Sequence, residues 1–161
     1  MLFRSYTADL SAVKDAEVVW VTFDTPVDDD DRADIDFVND RVKDLFPYLR
    51  DGTVVLVSSQ MPVGSVAALE VQFAKNCSGR AVHFACSPEN LRLGKALEIF
   101  RNPGRIVIGI RDPRARQILE PFLAQICSNL LWISVESAEM TRSEEHTSEL
   151  QSHLNRMPSS A

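Results

Sequence analysis

Short runs of mainly apolar and often β-branched residues alternate with helical patterns along this chain, and that alternation limits the folds open to it. The runs occupy residues 18–23, 53–57, 81–85, 105–109 and 130–133. They have the length of strands, and their continuous apolar character indicates burial on both faces. Strands that alternate with helices are typical of a parallel sheet with helices on both sides. We therefore predict an α/β, three-layer fold with a mainly parallel sheet of about five strands.

The segments between the runs carry the spacing of amphipathic helices. Ile35, Val38, Val42 and Leu45 recur at helical intervals, and Asp34 is placed to cap that helix. The other helical patterns cover residues 65–75, 94–100 and 113–126, and a short helical turn is predicted at residues 11–15. The chain is thus a series of strand, loop and helix units.

In a parallel sheet the loops that follow the strands lie along one edge, where α/β proteins bind their ligands. Three polar loops follow the first three strands: Asp24-Thr25-Pro26, Ser58-Ser59-Gln60 and Ser87-Pro88-Glu89. We expect them to face a common crevice that carries the function. For the last of them, an ordinary strand-to-helix loop is the alternative.

Composition excludes several classes of protein. The chain has 161 residues, a size that predicts one domain, and a net charge of −6, which disfavours a nucleic-acid reader because phosphates require a basic face. No apolar run approaches the ~20 residues of a membrane helix, and residues 1–10 lack the pattern of a signal peptide. We therefore expect a cytoplasmic protein with no nucleic-acid or membrane partner.

Cys77, Cys86 and Cys127 form an odd set without Cys-x-x-Cys spacing, which argues against a disulfide framework and against a zinc site. We interpret them as buried thiols and predict no metal site. A nucleophilic Cys86 would need a histidine partner. His83 is the nearest histidine, expected on the same face of its strand, and we interpret it as a core or cleft residue.

The sequence changes character at Arg142. Residues 142–161 contain five serines and almost no apolar periodicity, so they cannot supply a core face. Residues 142–152 and 156–161 are also what a common short-read sequencing adapter encodes in frame. We interpret 142–161 as an adapter translation, expected to be disordered and excluded from the fold. A natural disordered tail is the alternative.

With the loops placed, the chain resembles the UDP-glucose/GDP-mannose dehydrogenase family, the nucleotide-sugar dehydrogenases. The likeness runs from about Ala16 to Met140. It rests on five segments in order: V-V-W-V-T-F-D-T-P-V-D (18–28), S-Q-M-P-V-G-S (59–65), S-P-E-N-L-R-L-G-K-A-L (87–97), N-P-G-R-I-V-I-G (102–109) and S-A-E-M (137–140). The resemblance implies that residues 1–141 are the C-terminal half of a Rossmann-like NAD-binding domain, a partial Rossmann-like fold.

The resemblance also implies a chemistry and a set of site residues. The family oxidises the C6 alcohol of a UDP- or GDP-sugar to the carboxylate with two NAD, through a cysteine thioester, and the full-length proteins are expected to be homo-oligomers. By family position Thr25 and Pro26 line the nicotinamide half of the cofactor site, and Ser59 and Gln60 border it. Glu89 matches the general base that activates water for thioester hydrolysis. The segment that contacts the nucleotide sugar is Glu89, Asn90, Leu91 and Arg92.

Several departures from the family pattern affect how the family's residue roles carry over to this chain. Many members carry threonine where Gln60 stands, a second glutamate where Leu93 stands and glycine where Asp24 stands. The sequence contains no Gly-x-Gly-x-x-Gly, so the family's phosphate-binding loop would precede Met1. The family's substrate-binding lysine and asparagine and its cysteine nucleophile would follow Met140. We therefore expect this chain alone to be an inactive fragment.

Two other interpretations remain open at this point. Asp24 and the acidic run from Asp28 to Asp31 could bind Mg²⁺ in a receiver-like signalling domain, because hard cations prefer clustered carboxylates. A solvated loop is the simpler interpretation of that run. Alternatively, the isolated polypeptide has no biochemical role and is partly unfolded, because one sheet edge and several apolar faces lack their cover.

Overall fold

All five apolar runs form strands in the computed structural model, which describes residues 5–26, 33–88 and 96–141. The strands are β1 (Val18–Val21), β2 (Val54–Val57), β3 (His83–Cys86), β4 (Ile106–Ile110) and β5 (Leu130–Ile133). The helices are α1 (Ile35–Leu45), α2 (Ser65–Asn76), α3 (Ala96–Arg101), α4 (Pro113–Leu123) and α5 (135–141), with 3-10 turns at Leu10–Asp15 and Phe46–Tyr48. The predicted elements are therefore present, and α5 is an addition to them.

The strands form one sheet in the order β1-β2-β3-β4-β5. The pairs β1–β2, β2–β3 and β4–β5 are parallel, which confirms a mainly parallel sheet. This order contradicts the receiver-like alternative, because receiver domains have the strand order 2-1-3-4-5.

Strand β4 departs from the parallel pattern, since it runs antiparallel to β3, with Ala85 opposite Ile110 and Cys86 opposite Gly109. Because of this pairing, β4 begins at the edge of the sheet where β1, β2 and β3 end.

Two apolar layers cover opposite faces of the sheet. Val55 and Val57 of β2 pack with the buried residues of α1 and α2, whereas Val54 and Leu56 pack with those of α4. All four residues of β2 and of β3 are buried, as the continuous apolar runs predict. Asp34 caps α1 as predicted, because its carboxylate accepts the Phe37 N–H at 3.0 Å.

A charged cluster lies at the edge of the sheet opposite the three polar loops. His83 is 9% exposed, and its Nδ1 lies 3.3 Å from Oδ2 of Asp112. Asp112 caps α4 by accepting the Arg114 N–H, and the Arg114 guanidinium donates to the same carboxylate. His83 is therefore a buried residue at this edge, in agreement with its interpretation as a core or cleft histidine.

We predict a pH-dependent contribution of Asp112 to stability. The side-chain and backbone N–H groups of Arg114 lower the pKa of Asp112 from 3.8 to about 2. A carboxyl with a depressed pKa stabilises the fold above its unfolded-state value and loses that contribution as pH falls through the folded-state value. Denaturant unfolding should show Asp112→Asn to be less stable than the unsubstituted chain at pH 7, with the difference vanishing between about pH 4 and pH 2.

Arg114→Ala provides the control, because it removes the main cause of the shift. In that background Asp112→Asn should have a smaller effect at pH 7. A stability difference of equal size at pH 7 and pH 2 would contradict the assignment.

No helix among residues 5–26, 33–88 and 96–141 combines the length and apolar character needed to cross a bilayer.

Candidate functional site

Two strand-end loops are joined to each other at the carboxyl ends of β1 and β2. Loop L1 comprises residues 22–26, and loop L2 comprises residues 58–64. The Thr25 hydroxyl donates to the main-chain carbonyl of Gln60 at 2.8 Å, and the Ser59 hydroxyl donates to that of Phe23 at 2.7 Å. Two reciprocal bonds between hydroxyls and carbonyls therefore hold L1 against L2.

The predicted cofactor residues differ in their exposure. Thr25 is 8% exposed and its hydroxyl is engaged, whereas Pro26 and Gln60 are exposed. Ser59 is half-buried with its hydroxyl also engaged. Thr25 and Ser59 thus bind the two loops together, and Pro26 and Gln60 present the surfaces that are free to contact a ligand.

The third loop begins beside the other two. Pro88 lines a small cavity of about 20 Å³ together with Ser59, Gln60 and Cys86. Glu89, Asn90, Leu91, Arg92 and Leu93 lie outside the described residues, as do Asp28 to Asp31. The described part of the site is therefore L1, L2 and the start of the third loop.

A larger cavity of about 440 Å³ opens at the same edge, on the α4 side of the sheet. Trp20, Phe100 and Ser87 are among the residues that line it. The Trp20 indole N–H donates to the Ser58 hydroxyl at 2.8 Å, which fixes the first residue of L2. The sequence marks Trp20 as a strand residue and gives no sign of this bond.

The cysteines behave as buried thiols, as predicted. Burial, with a smaller contribution from the charge of Glu139, raises the pKa of Cys86 to about 12. The expectation that His83 shares a face with Cys86 is wrong, because residues three apart on a strand point to opposite faces. Cys86 packs in the layer of α1 and α2, while His83 faces Asp112. A nucleophilic Cys86 is therefore not supported.

Glu139 is a functional candidate that the sequence does not single out. It is 5% exposed, and its two carboxylate oxygens accept the backbone N–H groups of Gly64 at 2.8 Å and Val66 at 3.0 Å. It also lines the small cavity beside Ser59 and Gln60. Its one sequence signal is its place in the S-A-E-M segment, which assigns it no role.

Carboxylates and histidines do not gather into a metal site in the part of the chain that the structure describes. No group of three or more His, Cys, Asp or Glu side chains that could hold a metal ion occurs there.

A mainly parallel sheet covered on both faces, with loops joined at the carboxyl ends of neighbouring strands, defines a Rossmann-like α/β domain of the kind that binds dinucleotides. The model for the UDP-glucose/GDP-mannose dehydrogenase family, NAD binding domain, matches residues 3–127. The chain belongs to this family.

Curated relatives support the same membership. UDP-glucose 6-dehydrogenase from Pseudomonas aeruginosa is 34% identical over 128 residues, which cover 74% of this chain and 28% of the relative. UDP-glucose 6-dehydrogenase from Rhizobium meliloti is 34% identical over 119 residues, covering 71% of this chain and 27% of the relative. The chain thus spans about a quarter of the length of these relatives.

Solved structures share the fold. A UDP-glucose dehydrogenase from Pyrobaculum islandicum superposes with a TM-score of 0.75 and 27% identity, over 88% of this chain and 34% of the other. A GDP-mannose dehydrogenase from Pseudomonas aeruginosa gives a TM-score of 0.75 and 24% identity, over 89% of this chain and 36% of the other.

NAD is the cofactor of this domain family. Exposed Pro26 and Gln60 offer a border for a ring at the L1–L2 junction. A diphosphate needs free backbone N–H groups, and at the start of α2 those of Gly64 and Val66 are already bonded to Glu139. These two N–H groups are therefore not available to a diphosphate, and this sequence contains no Gly-x-Gly-x-x-Gly.

Proposed function

We propose that this chain is part of a nucleotide-sugar 6-dehydrogenase, which oxidises the C6 alcohol of a UDP- or GDP-sugar to the carboxylate. NAD, when bound, supplies the hydride acceptor for each of two oxidations. The C6 carbon loses its first hydride from the alcohol, which becomes the aldehyde. It loses the second from the adduct of that aldehyde with a cysteine thiol, and water then releases the carboxylate from the resulting thioester. UDP-glucose is the first substrate to test, because relatives with 34% identity are named UDP-glucose 6-dehydrogenases.

The observation that carries the proposal is the double hydrogen bond between L1 and L2 in a chain of this family. Hydride transfer requires the donor carbon and the acceptor ring to be held at close range in a fixed orientation. Two loops that restrain each other provide a stiffer border than two independent loops. We assign that border to Thr25, Pro26, Ser59 and Gln60.

The substrate side of the proposed site rests on the family resemblance. We assign Glu89 as the general base that activates water for thioester hydrolysis. Contact with the nucleotide sugar is assigned to Glu89, Asn90, Leu91 and Arg92, where the arginine supplies charge for the diphosphate. Leu93 and Gln60 replace a carboxylate and a hydroxyl common in the family, which implies either a different arrangement of the catalytic water or a different substrate.

We propose further that residues 1–141 are the C-terminal half of the NAD-binding domain and that 142–161 are an adapter translation. We propose as well that the complete protein is a cytoplasmic homo-oligomer. We do not assign the thioester cysteine to Cys77, Cys86 or Cys127, so we expect the 161-residue chain to be inactive by itself.

The test compares the 161-residue chain with the protein translated from the complete reading frame of its locus. Each is incubated with NAD and either UDP-glucose or GDP-mannose, and NADH is followed by absorbance. The longer protein should form two NADH per sugar oxidised, and the chain alone should form none.

Absence of NADH formation by the longer protein with these and other UDP- and GDP-sugars would overturn the dehydrogenase assignment. Steady turnover by the 161-residue chain would overturn the proposal that it is an inactive fragment. Thermal unfolding of the chain tests the remaining alternative, because a partly unfolded polypeptide would melt without cooperativity.

A further inference from the structure

Helix α5 lies unusually close to the sheet. A side chain at Gly109 of β4 would meet the Ala138 Cβ and the Val135 Cα at 2.7 Å. Val135 and Ala138 are both fully buried. The absence of a side chain at residue 109 therefore allows α5 to rest directly on β4, and this contact sets where Glu139 lies.

A second contact ties the same helix to α2. Arg111, which follows β4, donates to Glu70 on α2 and to Glu136 on α5. Glu136 and Glu139 are three residues apart, so they lie on the same side of α5. α5 is thus held against α2 at two points, one through Arg111 and one through Glu139.

The start of α2 has no cap of its own. Its N-cap residue is Gly64, in a left-handed conformation with φ of 93° and without a side chain to accept a hydrogen bond. The first N–H groups of a helix lack partners within the helix, and a carboxylate there also interacts favourably with the helix dipole. Glu139, which is 75 residues away in sequence from Gly64, supplies that cap with both of its oxygens.

Loop L2 is therefore anchored at each end and in its middle. At its start, the Ser58 N–H donates to the Val21 carbonyl at 2.9 Å. In its middle, Ser59 and Gln60 bond to L1. At its end, Gly64 bonds to Glu139. Release of the last anchor would free the chain between Gln60 and α2 and loosen the L1–L2 border.

We propose that Glu139 is a positioning residue for the candidate cofactor site: by capping α2 it fixes L2, and through L2 it fixes L1. The effect of this positioning on NAD binding rests on the proposed function. The arrangement of the two loops in the 161-residue chain does not depend on that function and can be tested separately.

The first test measures amide hydrogen exchange in the 161-residue chain with Glu139→Gln. The glutamine keeps the size of the side chain but loses the charge and one acceptor, so exchange at Gly64, Val66 and L2 should rise about tenfold or more. Glu120→Gln is the matched control, because Glu120 pairs with Arg116 within α4, and it should leave the exchange of L2 unchanged. Glu139→Asp keeps the charge on a shorter side chain and should give an intermediate rate.

The second test uses the complete protein and separates KM from kcat. Glu139→Gln should raise the KM for NAD several-fold more than the KM for the nucleotide sugar, because L1 and L2 border the cofactor. A purely structural role would lower the amount of active enzyme and leave both KM values unchanged.

Unchanged exchange of L2 in Glu139→Gln, or an equal change in Glu120→Gln, would overturn the inference. An active enzyme whose KM for NAD does not respond to Glu139→Gln would also overturn it. An inactive wild-type protein would instead overturn the proposed function, and the exchange measurement would then decide the role of Glu139 in the loops.

Discussion

Replacement of Gly109 by alanine is expected to destabilise the protein by about 3 kcal/mol or more, at the upper end of the range for overpacked cores. The added Cβ would lie 2.7 Å from the Val135 Cα and 3.0 Å from the Ser134 carbonyl oxygen. These are backbone atoms, so a change of rotamer cannot relieve the contact. Helix α5 would have to move away from β4, and it would carry Glu139 with it.

Urea unfolding at neutral pH measures the effect as a shift of the midpoint. Gly104→Ala is the matched control, because a Cβ at Gly104 meets nothing within 4 Å and the residue is not in the left-handed region. The control should change the free energy of unfolding by less than about 0.5 kcal/mol. Equal stability of the two variants would show that α5 does not pack on β4 as described.

Local sequence patterns predict the elements of this fold well. The run from Thr53 to Val57 predicts β2, which forms at Val54–Val57, because a buried strand needs a continuous apolar segment bounded by turn residues. Asp34 predicts the start of α1 because its carboxylate can satisfy a free N–H in the first turn. In both cases the cause lies within a few residues of the effect.

Local sequence patterns do not predict strand direction or long-range polar contacts. An apolar run such as the one that forms β4 carries no sign of its direction in the sheet, so the sequence pattern does not reveal that β4 pairs antiparallel with β3. The sequence does show that Gly64 leaves α2 without a side-chain cap. It does not show that a buried glutamate on α5 supplies one.

The candidate site shows the same division between local patterns, which the sequence reveals, and long-range contacts, which it does not. The rule that loops gather at the carboxyl ends of parallel strands brings Thr25, Pro26, Ser59 and Gln60 to one edge. It does not indicate that the Thr25 and Ser59 hydroxyls are used to join the loops, because that depends on which carbonyl lies opposite each of them. Sequence reasoning therefore brings these loops to one edge, and the structure divides their residues between those that join the loops and those that are exposed.

Glu89→Gln in the complete protein is expected to reduce steady-state turnover by about 10²- to 10⁴-fold, the usual contribution of general acid–base catalysis. A glutamine cannot accept a proton from the attacking water. In the proposed reaction both hydride transfers precede that step, so they should proceed with little change. Rapid mixing with NAD and the sugar nucleotide should then show a burst of two NADH per active site, followed by slow turnover.

A second readout follows from the same reasoning, because in the proposed reaction hydrolysis is the step that releases the product from the enzyme. Intact-protein mass spectrometry of Glu89→Gln during turnover should detect the thioester as an added acyl group on a cysteine. Glu98→Gln is the matched control, since Glu98 is an exposed glutamate in the first turn of α3, and it should show neither the burst nor the adduct. Loss of the burst together with turnover in Glu89→Gln would instead place Glu89 at or before the first hydride transfer, in which case it would not act on the thioester.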